Sequence, residues 1–380
     1  MRLRNPESVD PQAAATNSSR QRSSAEAKKH RRIVSSHNTL LSIQALRAIA
    51  ASAVVVLHTL VMMVHNGGYS FSIPIFGASG VDLFFVISGF VMVYTTHGDF
   101  AQPNSTMSFI RRRVIRVVPI YWFYTTVLVL LLVLFPGLFT SLKFEWPHTI
   151  SSYLFLLSKN NAGIVGTVLQ TGWTLCFEMY FYLLFALLLM LPQRFFLPVA
   201  GVVFVAGITL GGIAGPLPAW VTVATNPILL EFYLGAVIAS IYLNGFFLTC
   251  PWALASIAAG IATIFLSENV DQGQWPRVIF WGLPGGALLL GAISLERAGL
   301  RTSRILVSLG NSSYSLYLVH PFLMPALGKT WTALHLGNTL PPVALFALGY
   351  CISLLAGHVS YLAIERPVTH WLSRVWKAKY

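Results

Sequence analysis

Of 380 residues, 55% are hydrophobic and only 10% are charged, with a mean hydropathy of +0.68, whereas charged residues make up about a quarter of a soluble domain; a soluble globular fold is excluded. The apolar runs are continuous over about 20 residues and do not alternate with period two, which excludes a transmembrane β-barrel and predicts an all-α polytopic membrane protein. The formal charge of +13 is gathered beside these runs instead of being spread over a surface, so it does not point to nucleic acid as a partner.

Residues 1–36 are rich in Ser, Ala, Gln and Arg, nearly lack large apolar side chains and read as a disordered basic cytoplasmic tail. No short apolar region with a small-residue cleavage site precedes the first long run, so no signal peptide is expected. Ten spans follow, at about 40–64, 76–97, 117–139, 172–191, 195–215, 227–245, 250–267, 276–294, 312–330 and 342–364, with the membrane domain covering 37–368 and a second basic tail at 369–380. The longest outer loop, 140–171, holds Trp146 and the apolar stretch Tyr153 to Leu157, which is too short to span and is expected at the interface. An even count puts both termini on one side. With the tails inside, twenty of the 25 Lys and Arg are cytoplasmic, against Lys143, Lys159, Arg277 and Lys329 outside and Arg47 within the membrane. The three cysteines fall inside apolar runs without paired spacing or metal-like neighbours, so neither a disulfide framework nor a metal site is expected.

Ionisable residues inside the membrane carry most of the functional information, because a charge in hydrocarbon is rare without a partner or a wet cavity. Four stand out: Arg47, His58, Asp82 and Glu178. Arg47 and His58 are eleven residues apart, which returns to nearly the same helix face roughly 16 Å along the axis. His58, Asp82 and Glu178 each lie about six residues inside an outer helix end. The short loop between the first two helices makes them neighbours, so a carboxylate at Asp82 is expected to orient the His58 imidazole. Taken alone, Glu178 or Glu231 is as well explained as a hydrogen-bonded structural residue. In the run Arg111-Arg112-Arg113-Val114-Ile115-Arg116, the first two arginines read as topology anchors beside anionic lipid heads. Arg113 and Arg116 share a helical face leading to Pro119 and could clamp a phosphate. His65, His97, His148, His335, His358 and His370 read as interface or surface residues.

Several segments together resemble the acyltransferase 3 family of integral membrane acyltransferases, in particular bacterial exopolysaccharide O-acetyltransferases. They are Ser42 to Ala51 ending in His58; Gly80-Val81-Asp82-Leu83-Phe84-Phe85-Val86-Ile87-Ser88-Gly89-Phe90; Arg113 and Arg116 followed by Pro119-Ile120-Tyr121-Trp122; Trp173-Thr174-Leu175 with Glu178 and Phe181-Tyr182; Tyr314-Ser315-Leu316-Tyr317-Leu318-Val319-His320-Pro321; and Glu365-Arg366-Pro367. The likeness runs over roughly residues 40–368. It implies transfer of an acyl group, usually acetyl, from acetyl-CoA or another acyl-CoA as donor substrate, with no permanently bound cofactor, to a hydroxyl of a glycan or lipid-linked sugar. The setting it implies is the lipid bilayer of the cell inner membrane.

The resemblance places the catalytic histidine at His58. The layout of residues then assigns Asp82 as its orienting partner, Arg47, Arg113 and Arg116 as the donor-binding set, and Glu178 as a supporting acceptor-site or structural residue. A covalent acyl-histidine intermediate is the competing mechanism, and His320, at mid-membrane, is open between a structural and a functional role. A proton-coupled transporter or flippase would use the same buried charges as a pathway, but the two corresponding halves with interrupted helices that such proteins often show are not found. A scaffold with purely structural polar residues is the third reading.

Overall fold

The structure, a computed structural model, describes residues 40–139, 142–268, 270 and 273–377; the expected N-terminal tail lies outside the described residues. The described chain is helical apart from one antiparallel pair of two-residue strands, β1 Ser158–Lys159 and β2 Val165–Gly166. In chain order the helices are α1 Leu41–His65, α2 Ser79–Thr95, α3 Ser105–Leu134, α4 Trp146–Tyr153, α5 Gly172–Leu188, α6 Gln193–Ile213, α7 Thr222–Thr225 and α8 Leu229–Leu243. They continue as α9 Cys250–Leu266, α10 Gln274–Arg277, α11 Leu283–Arg297, α12 Arg304–Asn311, α13 Ser313–Ala333, α14 Pro342–Ser360 and α15 Arg366–Lys377. Short π-helical segments, Val278–Gly282 and Tyr361–Glu365, join α10 to α11 and α14 to α15.

Each of the ten expected spans falls on a helix, but among the described residues only six helices are long and apolar enough to cross a membrane: Leu41–His65, Phe76–Thr95, Ser105–Leu134, Gln193–Ile213, Gln274–Arg297 and Pro342–Trp376. The apolar helices α5, α8 and α9 are shorter, at 17, 15 and 17 residues, and about 20 residues are needed to traverse the hydrocarbon core upright. The 21-residue α13 is diluted by His320, Lys329, Pro321 and Pro325.

The largest departure from expectation is α3, which begins at Ser105 and not near residue 117, so the arginine run is part of the helix. Pro119 lies inside it as an interior residue. A membrane helix tolerates a proline where its surroundings satisfy the freed backbone groups; two residues before it, the Tyr314 hydroxyl donates to the Val117 carbonyl at 2.8 Å and ties α3 to α13. At the other end, the expected tail after residue 368 is helical to Lys377. In the outer loop, Phe155 and Leu157 turn inward, with the Phe155 ring 4.8 Å from that of Tyr121, while Leu154 and Leu156 are exposed. His148, expected at the surface, is 4% exposed and bonds the Ser158 hydroxyl through Nδ1 at 2.8 Å.

Small residues set the helix spacing. A Cβ at Gly89 would overlap the Phe232 carbonyl and one at Gly235 the Val86 carbonyl, so α2 and α8 cross almost backbone to backbone. Gly80 meets the Ala50 carbonyl of α1 in the same way. The start of α1 is capped from a distance: Glu296 of α11 accepts from the Leu41 and Ser42 amides at 2.8 and 2.9 Å and from the Ser42 hydroxyl. A carboxylate there satisfies amides that the helix cannot pair itself and complements the dipole.

The α2–α8 contact also positions a charge cluster. Asp82, fully buried, accepts from Arg277 Nε at 2.7 Å and Nη2 at 3.0 Å. The guanidinium lies between Trp173 and Trp281, each 5.4 Å from ring centroid to Cζ. Glu231 of α8 is equally buried, and neither of its carboxyl oxygens has a hydrogen-bond partner.

Gly235→Leu should remove the α2–α8 crossing and lower the unfolding temperature in detergent sharply, since overpacking against an immovable backbone costs about 1–3 kcal/mol or more. Arg277→Ala, which leaves the buried Asp82 carboxylate without its counter-charge, should cost about 3–5 kcal/mol. Asp82→Ala should cost less, because Glu231 remains within electrostatic reach of Arg277. Thermal unfolding of the three purified variants checks the order.

Candidate active site

Five helices, α1, α2, α3, α5 and α13, enclose a cavity of about 160 Å3 that is partly open to the outside. Arg47 comes from α1, Arg113 and Arg116 from α3, and Glu178 from α5, and all four line it. Four of the six expected site residues are therefore brought together. The spacing of Arg113 and Arg116 works as anticipated only because α3 is already helical there, which puts both on the cavity face.

The charges in this cavity do not cancel. Three guanidiniums face one carboxylate among the lining residues. Among the described residues, no carboxylate lies within 4 Å of Arg47, Arg113 or Arg116; the ion pairs are Arg112–Asp99 and Arg277–Asp82. Arg113 is held by the Thr95 hydroxyl at 3.3 Å and packs over Phe109 and Tyr182 at 5.4 and 5.7 Å. Its Nε, with Gln44 Oε1 and Ser313 Oγ, is buried without a partner. Glu178 is occupied by the Tyr182 hydroxyl and, at 3.2 Å, by Ser88. What remains is a concave, positively charged surface with unspent donors, which suits an anion with several acceptor oxygens. Arg111 and Arg112 turn away, Arg111 to the Trp376 carbonyl and Arg112 to Asp99.

His58 and Asp82 do not form the expected pair. Both Asp82 oxygens are taken by Arg277, whereas His58 Nδ1 lies 2.9 Å from the Val54 carbonyl and its ring meets that of His320 at 4.8 Å between centroids. The reason is helix rotation. Gly80 faces α1, and two residues on, about 200° round the helix, Asp82 faces away from it; seven residues further, Gly89 has come back to the Asp82 side and packs on α8. Depth separates them as well: Gly80 packs at Ala50 and Gly77 at Ala53, so Asp82 lies about two helical turns from the level of His58.

The His58–His320 pair sits beyond one end of the cavity. Phe84 and Tyr317 line that end with rings 6.4 Å apart, and the Tyr317 ring is 6.0 Å from His320. Tyr317 is fixed by Thr174 at 3.0 Å. Arg47 at one end and His58 at the other thus share a face of α1, one within the cavity and one past a single layer of aromatic side chains.

Sequence reasoning missed Arg277, counted as an outer-loop cation, and left Glu231 and His320 open. The signal for Arg277 was its place three residues inside a helix that carries Trp275 and Trp281, where an unpaired cation demands a buried acid. Tyr182, Tyr314 and Tyr317 carried no signal beyond their place in the resembling segments.

Comparison with known proteins gives the family. The acyltransferase 3 family model, described as an acyltransferase domain, matches residues 40–361. Exopolysaccharide production protein ExoZ of Rhizobium meliloti (strain 1021) is 34% identical over 312 residues, covering 79% of this chain and 91% of that protein. Acyltransferase MdmB of Streptomyces mycarofaciens is 25% identical, over 78% of this chain and 82% of its own. Nodulation protein 10 of Rhizobium leguminosarum bv. viciae is 26% identical, over 76% and 83%. No solved structure matches. With its family model spanning nearly the whole helical bundle, the chain belongs to the acyltransferase 3 family and is a multi-pass membrane acyltransferase.

Proposed function

We propose that this acyltransferase moves an acyl group, acetyl in the simplest case, from acyl-CoA to a sugar hydroxyl of an exported or cell-surface polysaccharide. The observation that carries the reading is the cavity in which Arg47, Arg113 and Arg116 face a single, already bonded carboxylate. Coenzyme A brings phosphates on a long flexible arm, so the phosphates neutralise the arginine end while the thioester extends toward the histidine end. The polysaccharide acceptor is supported by the printed name of the ExoZ relative. The positive-inside pattern supports an inner-membrane setting with both termini and the arginine end cytoplasmic. Residues 37–368 then form the catalytic domain, flanked by basic segments.

His58 acts as the general base. A carbonyl oxygen can only accept, so the contact with Val54 assigns the hydrogen to Nδ1 and leaves the Nε2 lone pair free for the acceptor hydroxyl. The hydroxyl oxygen bonds to the acyl carbon, the carbon–sulfur bond breaks and the proton returns to the thiolate. Asp82 has no direct part in this step; its pairing with Arg277 holds α2 against the segment before α11.

Arg116→Gln and Arg47→Gln should each raise the KM for acyl-CoA about 10- to 100-fold with a smaller change in kcat, the worth of one charge-assisted contact. Transfer assays with purified protein in detergent check this, and movement of substrate across sealed vesicles without transfer would instead support a transporter. His58→Ala should lower kcat by about 100- to 10,000-fold at unchanged protein level; retained transfer would remove His58 from the mechanism.

A further inference from the structure

His320 lies on α13, one turn beyond Tyr317, with no exposed surface. Its Nδ1 is 3.0 Å from the Leu316 carbonyl, so Nδ1 carries the hydrogen and Nε2 the lone pair. His58 is held in the same tautomer by Val54. Two imidazoles from different helices therefore meet, ring centroids 4.8 Å apart, each with its one basic nitrogen uncommitted to the backbone. Among the described residues, His320 Nε2 is buried without a hydrogen-bond partner, a position an apolar side chain would fill at lower cost.

Among the described residues, no carboxylate bonds the base. Asp82 lies about two helical turns away on the neighbouring helix and is closed by Arg277. Among the other packed elements, Tyr124 of α3 bonds Ser360, while Tyr350 and His358 belong to α14. Among the described residues, His58 and Tyr317 make ring contact with His320.

We infer that His320 is a positioning residue for the acyl transfer: its Nε2 lone pair shares the proton that His58 removes from the acceptor hydroxyl, holding it until the thiolate takes it back. This rests on the reading of His58 as the base. Atoms balance, since the alcohol O–H and thioester C–S bonds break, the ester C–O and thiol S–H bonds form, and the proton resides on the imidazole pair only between these events.

The test uses the full chain in detergent with acetyl-CoA and an acceptor glycan, comparing His320→Phe, His320→Gln and His58→Ala. In His320→Phe, kcat should fall about 100-fold, with the KM for acetyl-CoA within about twofold of wild type. The acid limb of kcat should move to lower pH, because the lone pair that stabilised protonated His58 is gone. His320→Gln, whose amide oxygen can accept, should recover part of both effects. Wild-type kcat and limb in His320→Phe, or equal losses in both variants with an unmoved limb, would overturn the inference. Histidine side-chain 15N NMR of the wild type decides independently of variant folding. The His320 Nε2 shift should follow the titration of His58, and a shift constant through that titration overturns the proposal. Activity retained in His58→Ala removes the premise, whereas an inactive His58→Ala beside an unaffected His320→Phe rejects the role of His320 alone.

Discussion

A guanidinium inside an apolar bundle must find an anion, and the two ways in which this chain meets that demand organise the rest of it. Arg277 is closed internally. Asp82 grips it with two hydrogen bonds, two tryptophans sandwich it and Glu231 stands beside it. Arg47 and Arg116 are left open: they line a cavity with no carboxylate within ion-pair distance among the described residues. A closed pair contributes to one helix arrangement, since removing either partner strands a buried charge. An open pair stores unmet attraction for a ligand. Arg113 is intermediate, held by Thr95 and by the faces of Phe109 and Tyr182 while its Nε stays unpartnered.

How much of this could be read in the sequence follows from which physical quantity each residue reports. Spacing along one helix was legible, because helix rise fixes the distance from Arg47 to His58, but level between helices was not: Gly80 packs at Ala50, which leaves Asp82 about two turns from His58. Azimuth was legible within one helix, where eleven residues return Arg47 and His58 to the same face. Between helices it was not. Which side of α2 meets α1 is decided by Gly80 and Gly89, whose missing side chains allow close crossings, and this turned Asp82 toward Arg277. The expected span at 117 omitted the arginine run because hydropathy marks where the apolar stretch begins, whereas the helix itself continues back through the charged residues to Ser105.

The separation of the arginine end from the histidine pair by Phe84 and Tyr317 bears on the chemistry proposed. Water beside a thioester competes with the acceptor for the acyl carbon, and a low-dielectric layer around the reacting atoms suppresses that side reaction. The donor's charged portion needs the opposite surroundings: exposed cationic side chains with room for several phosphate oxygens. Arg116 is exposed and lines the cavity. One helix, α1, carries a contact for each environment and fixes the distance between them through its own rise.

The imidazole pair sits on the dry side, and this shapes how its proton is handled. In water a protonated imidazole would be stabilised by solvent, and in a soluble hydrolase by a buried carboxylate. Among the described residues no carboxylate reaches the pair, Asp82 being about two turns away and committed to Arg277, so the protonated state has a second neutral base beside it. A neutral partner stabilises the imidazolium less than an aspartate would and leaves no unpaired negative charge in the membrane between turnovers. Under the proposed mechanism, a base with that partner releases its proton more readily to the departing thiolate, which would favour completion of transfer over a long-lived charged state.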